Sequence, residues 1–461
     1  MIGGTNKKSG IALGIAIAGV AFAGATPASA ADLSGGAYAD LEERIAELEA
    51  TTARKGNRKV SLTVSGLVNE ALLFWDDGSE SNVYVGTNEA AQSRFRFLGE
   101  AEITKGWKAG YLIEIGVRGA RLDRVNQNEP TTSSSNAAAD FISTRHSAWW
   151  LSSKDYGKLW VGLTSDAADG ITEINLANTN HFASANKQNL GDGGSGFFLR
   201  RNGALLDGTG GNPNLKWGNF VVPGGQQGIP GEGHRENLVK YETPTFAGFT
   251  ASAAWGEDDF WNIALRYKGE GGGFKFAGGI AYTEVGDASK NTWRRGAGDT
   301  EEFGLSASVL HTETGLYVTG AYGHLEDDGV ADFFAAANFD PDNETDYYFI
   351  QAGIERKFFP VGKTTIFGEY WNLERGAGVS INSSNVVSAL SFGAGTVVSG
   401  STIEGWGIGL NQNFSEFFDL YVLYNHVSLD ATSVNTATGV TSSVNGLDDF
   451  DYVLAGGQIK F

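Results

Sequence analysis

Cysteine is absent from this 461-residue chain, and its single methionine is Met1. Without thiols there is no disulfide frame and no sulfur-ligated metal site, which suits passage through an oxidising compartment. Basic residues are outnumbered: 34 Lys and Arg stand against 54 Asp and Glu, a formal net charge of -20. That balance argues against nucleic acid as a partner, and solvated acidic loops account for it. Long apolar runs are scarce too. After Ala31 no stretch approaches the ~18 apolar residues of a spanning helix, so a mature chain in a membrane would cross it as strands. Chemistry-bearing motifs are also missing. The six histidines (His146, His181, His234, His311, His324, His426) are scattered, and no G-x-S-x-G elbow occurs. The glycine-rich stretches Gly191–Gly196 and Gly208–Gly211 have no βαβ unit around them and match no phosphate-binding fingerprint. No cofactor is implied.

What is present starts with a leader. Lys7 and Lys8 form a basic n-region, Ile11 to Ala25 an apolar h-region, and Ala28-Ser29-Ala30 a small-x-small cleavage site. Residues 1–30 are therefore expected to be a signal peptide. Residues 31–58 form a separate helical segment. Leu41, Ile45 and Leu48 have the 4-then-3 spacing of a coiled-coil seam, with Arg44 at g and Glu49 at e. At this length an isolated helix is marginal, but copies held together by a barrel would favour the coil. The other reading is a single amphipathic helix, packed on the barrel or left frayed.

From Lys59 the period changes to two. Trp107, Ala109, Tyr111, Ile113, Ile115 and Val117 alternate with Lys108, Gly110, Leu112, Glu114, Gly116 and Arg118. Sixteen such runs follow: 59–75, 92–103, 107–121, 143–153, 158–165, 236–243, 247–256, 259–268, 273–284, 302–311, 315–325, 346–357, 363–373, 401–412, 417–428 and 449–461. Each approaches the ~9–11 residues a tilted strand needs to span a bilayer. Short turns (104–106, 154–157, 244–246, 269–272, 312–314, 358–362, 413–416) alternate with polar loops on the other side. Those loops are 76–91, 122–142, 166–235, 257–258, 285–301, 326–345, 374–400 and 429–448, and all but 257–258 are long. Strict alternation puts every turn at one end. The aromatic share of 12%, diluted one-for-one by polar residues, fits a wall with lipid outside and water inside. The expected fold is all-β: a sixteen-stranded antiparallel transmembrane barrel over 59–461, both ends at the turn side. Soluble all-β folds do not predict this parity.

A barrel this wide leaves an aqueous lumen. The connection 166–235 is long enough to be functional. Its apolar stretches Gly196–Leu199 and Phe220–Val222 would be costly to show to water, so it is expected to fold inward.

Three segments carry a resemblance. They are Leu41–Glu49 followed by Gly56–Gly66, then Asn237–Phe249 (strand, Pro244 turn, next strand), and the closing run that ends on Phe461. With these the chain resembles the trimeric general porins of the alphaproteobacterial outer membrane over roughly Leu41 to Phe461. The resemblance implies a homotrimer in outer-membrane lipid that lets small hydrophilic solutes and ions diffuse through passively, with the third external loop, here 166–235, as an eyelet. Charges at such a constriction set selectivity. Parity places Arg94, Arg96, Glu100, Lys108, Glu114 and Arg118 on the water face, with Arg145 beside them. The loop offers Asp166, Asp169, Glu173, Asp192, Arg200 and Arg201. Phe461 is expected on the lipid face at the turn end, in the strand that closes the barrel against the first. Rival readings are a lipase-like barrel enzyme, with a triad assembled across strands, and an adhesive or structural protein whose helix 31–58 contacts peptidoglycan. The run Asp340–Asp346 could bind calcium but lacks EF-hand spacing and reads as a solvated loop.

Overall fold

The computed structural model describes residues 59–131, 141–188, 190, 194–222, 228–257, 259–287, 297–381 and 386–461. The expected leader 1–30 and helix 31–58, with Leu41, Ile45 and Leu48, lie outside the described residues, as does Asp192.

The main sheet has eighteen strands, two of them short appendages: Ser81–Thr87 and Thr441–Ser443. The other sixteen form the wall. They are β1 (Ser61–Asp76), β2 (Arg94–Thr104), β3 (Trp107–Val117), β4 (Ile142–Ser153), β5 (Gly157–Ser165), β6 (Arg235–Glu242), β7 (Phe249–Gly256) and β8 (Phe260–Gly271). The second half comprises β9 (Phe274–Val285), β10 (Thr300–His311), β11 (Leu316–Asp327), β12 (Glu344–Phe359), β13 (Gly362–Arg375), β14 (Thr396–Ser415), β15 (Phe418–Asn435) and β16 (Phe450–Lys460). Each pairs antiparallel with its chain neighbours. β16 returns to β1 in a register running from Leu67↔Lys460 to Asp76↔Asp451. The sheet is closed, so its backbone groups are satisfied without water, as a lipid-embedded sheet requires.

All sixteen expected runs became strands, with two differences. β14 and β15 run well past their expected ends, pairing as far as Thr396↔Asn435. Their hydroxyl-rich outer halves read as loop, yet Val397 and Val434 are buried there with Val330, Phe334 and Val379 in a small apolar cluster. In addition, Ser81–Thr87, expected as loop, folds back on the upper half of β1. β2 pairs only with the lower half, Ser61–Leu67. Between them Asn88 caps the short 3-10 turn Glu89–Ala91, its side chain accepting from the Ala90 amide at 2.9 Å.

Outward positions make the belt. Ile263, Leu265, Ile280, Ile350, Ile366, Ile408 and Val422 are all exposed on the barrel surface. Above them runs a line of rings: Trp261–Tyr282 at 5.5 Å, Phe303–Tyr322 at 6.3 Å, Tyr322–Tyr348 at 5.2 Å and Trp406–Tyr424 at 5.4 Å. A second line lies toward the turns, with Phe249–Tyr267 at 4.7 Å, Phe414–Phe418 at 5.6 Å and Phe95–Phe461 at 5.7 Å. Two aromatic girdles around an apolar band mark the two membrane–water interfaces. Phe461 exchanges backbone bonds with Gly66, and its ring lies over the bare Gly66 Cα, where a Cβ would strike it.

Two parts of the inner wall are unlike. On β1 and β12–β16 the wall is apolar: Leu73, Trp75, Tyr347, Trp371, Leu423, Tyr452 and Leu454 are buried. The connection after β5 covers that part. Its Phe182, Phe197, Trp217, Phe220 and Val221 belong to the same cluster. The first stretch of this connection moves round the inside of the wall, strand by strand. Ala167 N donates to Asn262 on β8, Ile174 N and Leu176 N to Ser306 and Ser308 on β10, and Thr179 Oγ1 to Gln351 on β12. Asn178 reaches Asp419 on β15, and the His181 carbonyl accepts from Asn69 on β1. Lys187 then pairs with Glu369 on β13 at 2.7 Å, both side chains buried.

Candidate functional site

A second part of the inner wall, on β2–β6, stays open toward the lumen and carries a cluster of charged side chains. An opening of about 800 Å³ lies between it and the connection after β5. Seven guanidinium groups line it: Arg94, Arg96, Arg118, Arg121, Arg124, Arg145 and Arg235. The acids on its lining are Glu89, Asp123, Asp169 and Glu173.

Glu114 on β3 organises the cluster. Its side chain is fully buried and takes three arginines: Arg96 Nη2 at 2.5 Å, Arg145 Nε at 2.7 Å and Arg94 Nη1 at 3.4 Å. Arg94 and Arg96 reach it because residues two apart on a strand share a face and Arg96 stands opposite Glu114 in the β2–β3 register. Arg145 arrives differently. On β4 the inward positions are His146, Ala148 and Trp150, all buried, so simple alternation would turn Arg145 outward to lipid. A bulge prevents this: Glu114 pairs with His146 and Ile115 with Thr144, leaving Arg145 as the extra residue. Bulges re-aim side chains in this way, and a guanidinium at mid-bilayer on the lipid face would cost about 2–4 kcal/mol. Gln92 completes the setting: its Oε1 accepts from Arg145 at 2.7 Å and its carbonyl from Arg94 at 2.8 Å.

Higher up, the 3-10 turn presents Glu89 to Arg118, whose Nε lies 3.0 Å from both carboxylate oxygens. Arg121 pairs with Asp123 at 2.5 Å. Burial pushes the Glu89 carboxyl above its usual range; Asp123 adds to this, while Arg118 and Arg121 oppose it. Across the opening, Asp169 faces Arg235 at 4.0 Å. Glu173 is pushed up mainly by burial, with Asp169 adding to it; the Ser184 hydroxyl, which donates to it at 2.5 Å, works the other way.

The remaining residues named from sequence lie elsewhere. Asp166 is buried and accepts the amides of Ala168, Asp169 and His234 at 2.7–2.8 Å, tying together the two ends of the connection. Arg200 pairs with Asp77 at 2.7 Å and Glu80 at 3.2 Å, and Arg201 donates to the Asn445 carbonyl. Neither lines the opening, because the stretch that carries them bonds to the loops after β1 and β15 rather than to the charged wall. Lys108 and Glu100 pair at 2.8 Å near the turns, both substantially exposed. Sequence reading missed Arg121, Arg124, Arg235, Glu89 and Gln92. They sit in or beside loops, where alternation says nothing about direction.

A closed, lipid-belted barrel with a charged opening along its axis defines a pore-forming membrane protein. The chain belongs to the Gram-negative porin family, whose model matches residues 12–432. No curated protein matches it at the sequence level. Among solved structures it is similar to the anion-selective porin from Comamonas acidovorans, with TM-score 0.51 and 17% identity over 87% of this chain and 100% of that one. It also aligns with OmpT of Vibrio cholerae at TM-score 0.48 and 10% identity (88% and 99% covered). For OmpF of Salmonella typhi the values are 0.47 and 12% (87% and 98% covered). At these identities the likenesses speak for the fold alone. Family membership and the barrel make this a passive channel of the outer membrane.

Proposed function

We propose that solutes pass at the opening between the arginine wall of β2–β4 and the connection after β5. In this reading Arg94, Arg96, Arg118, Arg145 and Glu114 form one side of the constriction, and Asp169 and Glu173 the other. Small hydrophilic solutes and ions cross without an energy source. The observation that carries it is the convergence of Arg94, Arg96 and Arg145 on buried Glu114, facing an opening that the seated connection narrows. A transverse field across such a gap orients polar solutes and discourages apolar ones, as charged rings do in other pores. The test is single-channel recording of the purified, folded protein in planar bilayers. Discrete conductance steps are expected; their absence would end this reading.

The finer identity is that of a trimeric general porin of the alphaproteobacterial type, supported by the stretches Leu41–Glu49, Gly56–Gly66 and Asn237–Phe249. Self-association is supported by the outer surface. The upper aromatic line covers β8–β15, while β3 and β5 carry Ile113, Ile115 and Val161, a face suited to a protein neighbour rather than to the lipid interface. Native electrophoresis of unheated protein, giving a species three times the monomer mass, tests this. Residues 1–30 are read as a cleaved leader. The seam Leu41, Ile45 and Leu48 is read as a periplasmic coil, available to peptidoglycan. Pull-down on peptidoglycan with and without 31–58 distinguishes contact from none. Neither the lipase-like nor the adhesive reading gains a supporting observation.

A further inference from the structure

Charge is distributed very unevenly in this molecule. The whole chain is strongly acidic, at -20, yet the opening is the reverse. Arg118 is matched by Glu89, Arg121 by Asp123 and Arg235 by Asp169. Arg94, Arg96 and Arg145 share the single carboxylate of Glu114. One negative charge against three leaves two positive charges unbalanced at one level of the pore. Arg96 is the accessible one of the three: its side chain is 45% exposed, against 17% for Arg94 and 14% for Arg145, although its head is bonded to a fully buried Glu114. The carboxylate is thus held behind the guanidinium layer, which meets the solute first.

We infer that this channel prefers anions, and that the surplus of Arg94, Arg96 and Arg145 over Glu114 sets that preference. The inference rests on the constriction reading above and names its solute class: small inorganic anions and carboxylated or phosphorylated solutes. Guanidinium groups suit that class, because their forked donors match the oxygens of carboxylates and phosphates. Glu114 is a positioning residue here. It holds three repelling cations within one hydrogen-bonded cluster and sets how much positive charge remains. Two unbalanced charges, acting in water at about one Debye length, favour a monovalent anion over a cation by roughly three- to fivefold.

The experiment is the reversal potential of single channels in a tenfold KCl gradient. The native protein is expected to pass chloride about three- to fivefold more readily than potassium. Arg96→Gln should bring the ratio toward one, and Arg94→Gln/Arg96→Gln to one or below. Arg201→Gln, outside the opening, should leave it unchanged and so controls for the general loss of a positive charge. A native ratio favouring potassium overturns the inference, as does an Arg94→Gln/Arg96→Gln channel with the native ratio. Both outcomes leave the channel itself standing, since conductance is still seen. Loss of all conductance steps in the native protein is the separate failure of the constriction reading. If Arg96→Gln fails to assemble, Arg96→Lys serves: it keeps the charge and should keep the ratio while altering the conductance.

Discussion

The buried pair Lys187–Glu369 offers the sharpest test of how the bore is set. Lys187 lies in the connection after β5, Glu369 on the inner face of β13, and both side chains are almost wholly sequestered. The ammonium is 2.7 Å from Glu369 Oε1 and 5.4 Å from the centre of the Phe349 ring; Gln351 Nε2 donates to the other carboxylate oxygen at 3.2 Å. Glu369→Gln keeps the shape and strands the lysine charge. Removing one partner of a buried pair costs about 3–5 kcal/mol. At about 1.4 kcal/mol per factor of ten, unseated forms of the connection should gain about two to three and a half orders of magnitude in population. Strand pairing and the outward faces are untouched, so the barrel should still form and migrate as folded protein on unheated gels. Single-channel records should show frequent excursions to higher conductance. Replacing both partners by apolar residues, Lys187→Met with Glu369→Leu, leaves no stranded charge and should restore quiet channels, since such replacements are often neutral or better. The reasoning fails if Glu369→Gln is as quiet as the native channel, or if the double variant is noisier than the single.

Three further outcomes follow from the same geometry. Glu232, near the return end of the connection, is buried, accepts from Gly170 and Thr172 at its start, and is pushed well above its usual range by burial and then by Glu173 and Asp169. Such a group supports the fold fully below its unfolded value of about 4.5, and that support is lost as pH rises through the folded value. Thermal unfolding should therefore show native protein losing stability as pH rises above about 4.5, with Glu232→Gln flatter; equal slopes would contradict this. On β11, a Cβ at Gly323 would run into the Pro230 carbonyl where the connection returns. Gly323→Ala should unseat that end and raise the mean conductance, and an unchanged trace would refute it. At the seam, Phe461→Ala removes the ring that covers Gly66 and meets Phe95 edge-on. An aromatic pair of this kind is worth about 0.5–1.5 kcal/mol beyond its buried area, so denaturant midpoints should fall while conductance holds; poor conductance with normal stability would be the wrong pattern.

The wall was legible because alternation and the parity of turns and loops are properties of sequence alone. Residues 261–267 or 107–117 show their two faces without any neighbour. Arg94, Arg96 and Glu114 follow from the same rule. Arg145 does not: strict alternation on β4 sends it to lipid, and only the bulge against Ile115 turns it inward. The acids and bases of the long connection were the least legible. Asp169 and Arg200 sit in the same polar, glycine-rich stretch, yet one faces the opening and the other is tied to Asp77. What separates them is the apolar part of the wall on β1 and β12–β16, which decides where the connection adheres. Leu73, Trp371 and Leu454 looked like ordinary alternating strand residues, and nothing local shows that a segment from far away covers them.

That adhesion has a consequence for how the molecule is made. The connection leaves the wall between β5 and β6, passes β8 and β10, and reaches as far as β12–β16 and β1. Asn69 meets the His181 carbonyl, Lys187 meets Glu369, and the Tyr452 hydroxyl meets the Leu190 carbonyl. These contacts span most of the chain, and pairings of such long sequence separation form slowly. The surface that receives the connection is complete only when β16 has joined β1. Width and closure are thus settled together, late in assembly, and a barrel that closes around an unseated segment would be a stable pore of the wrong calibre.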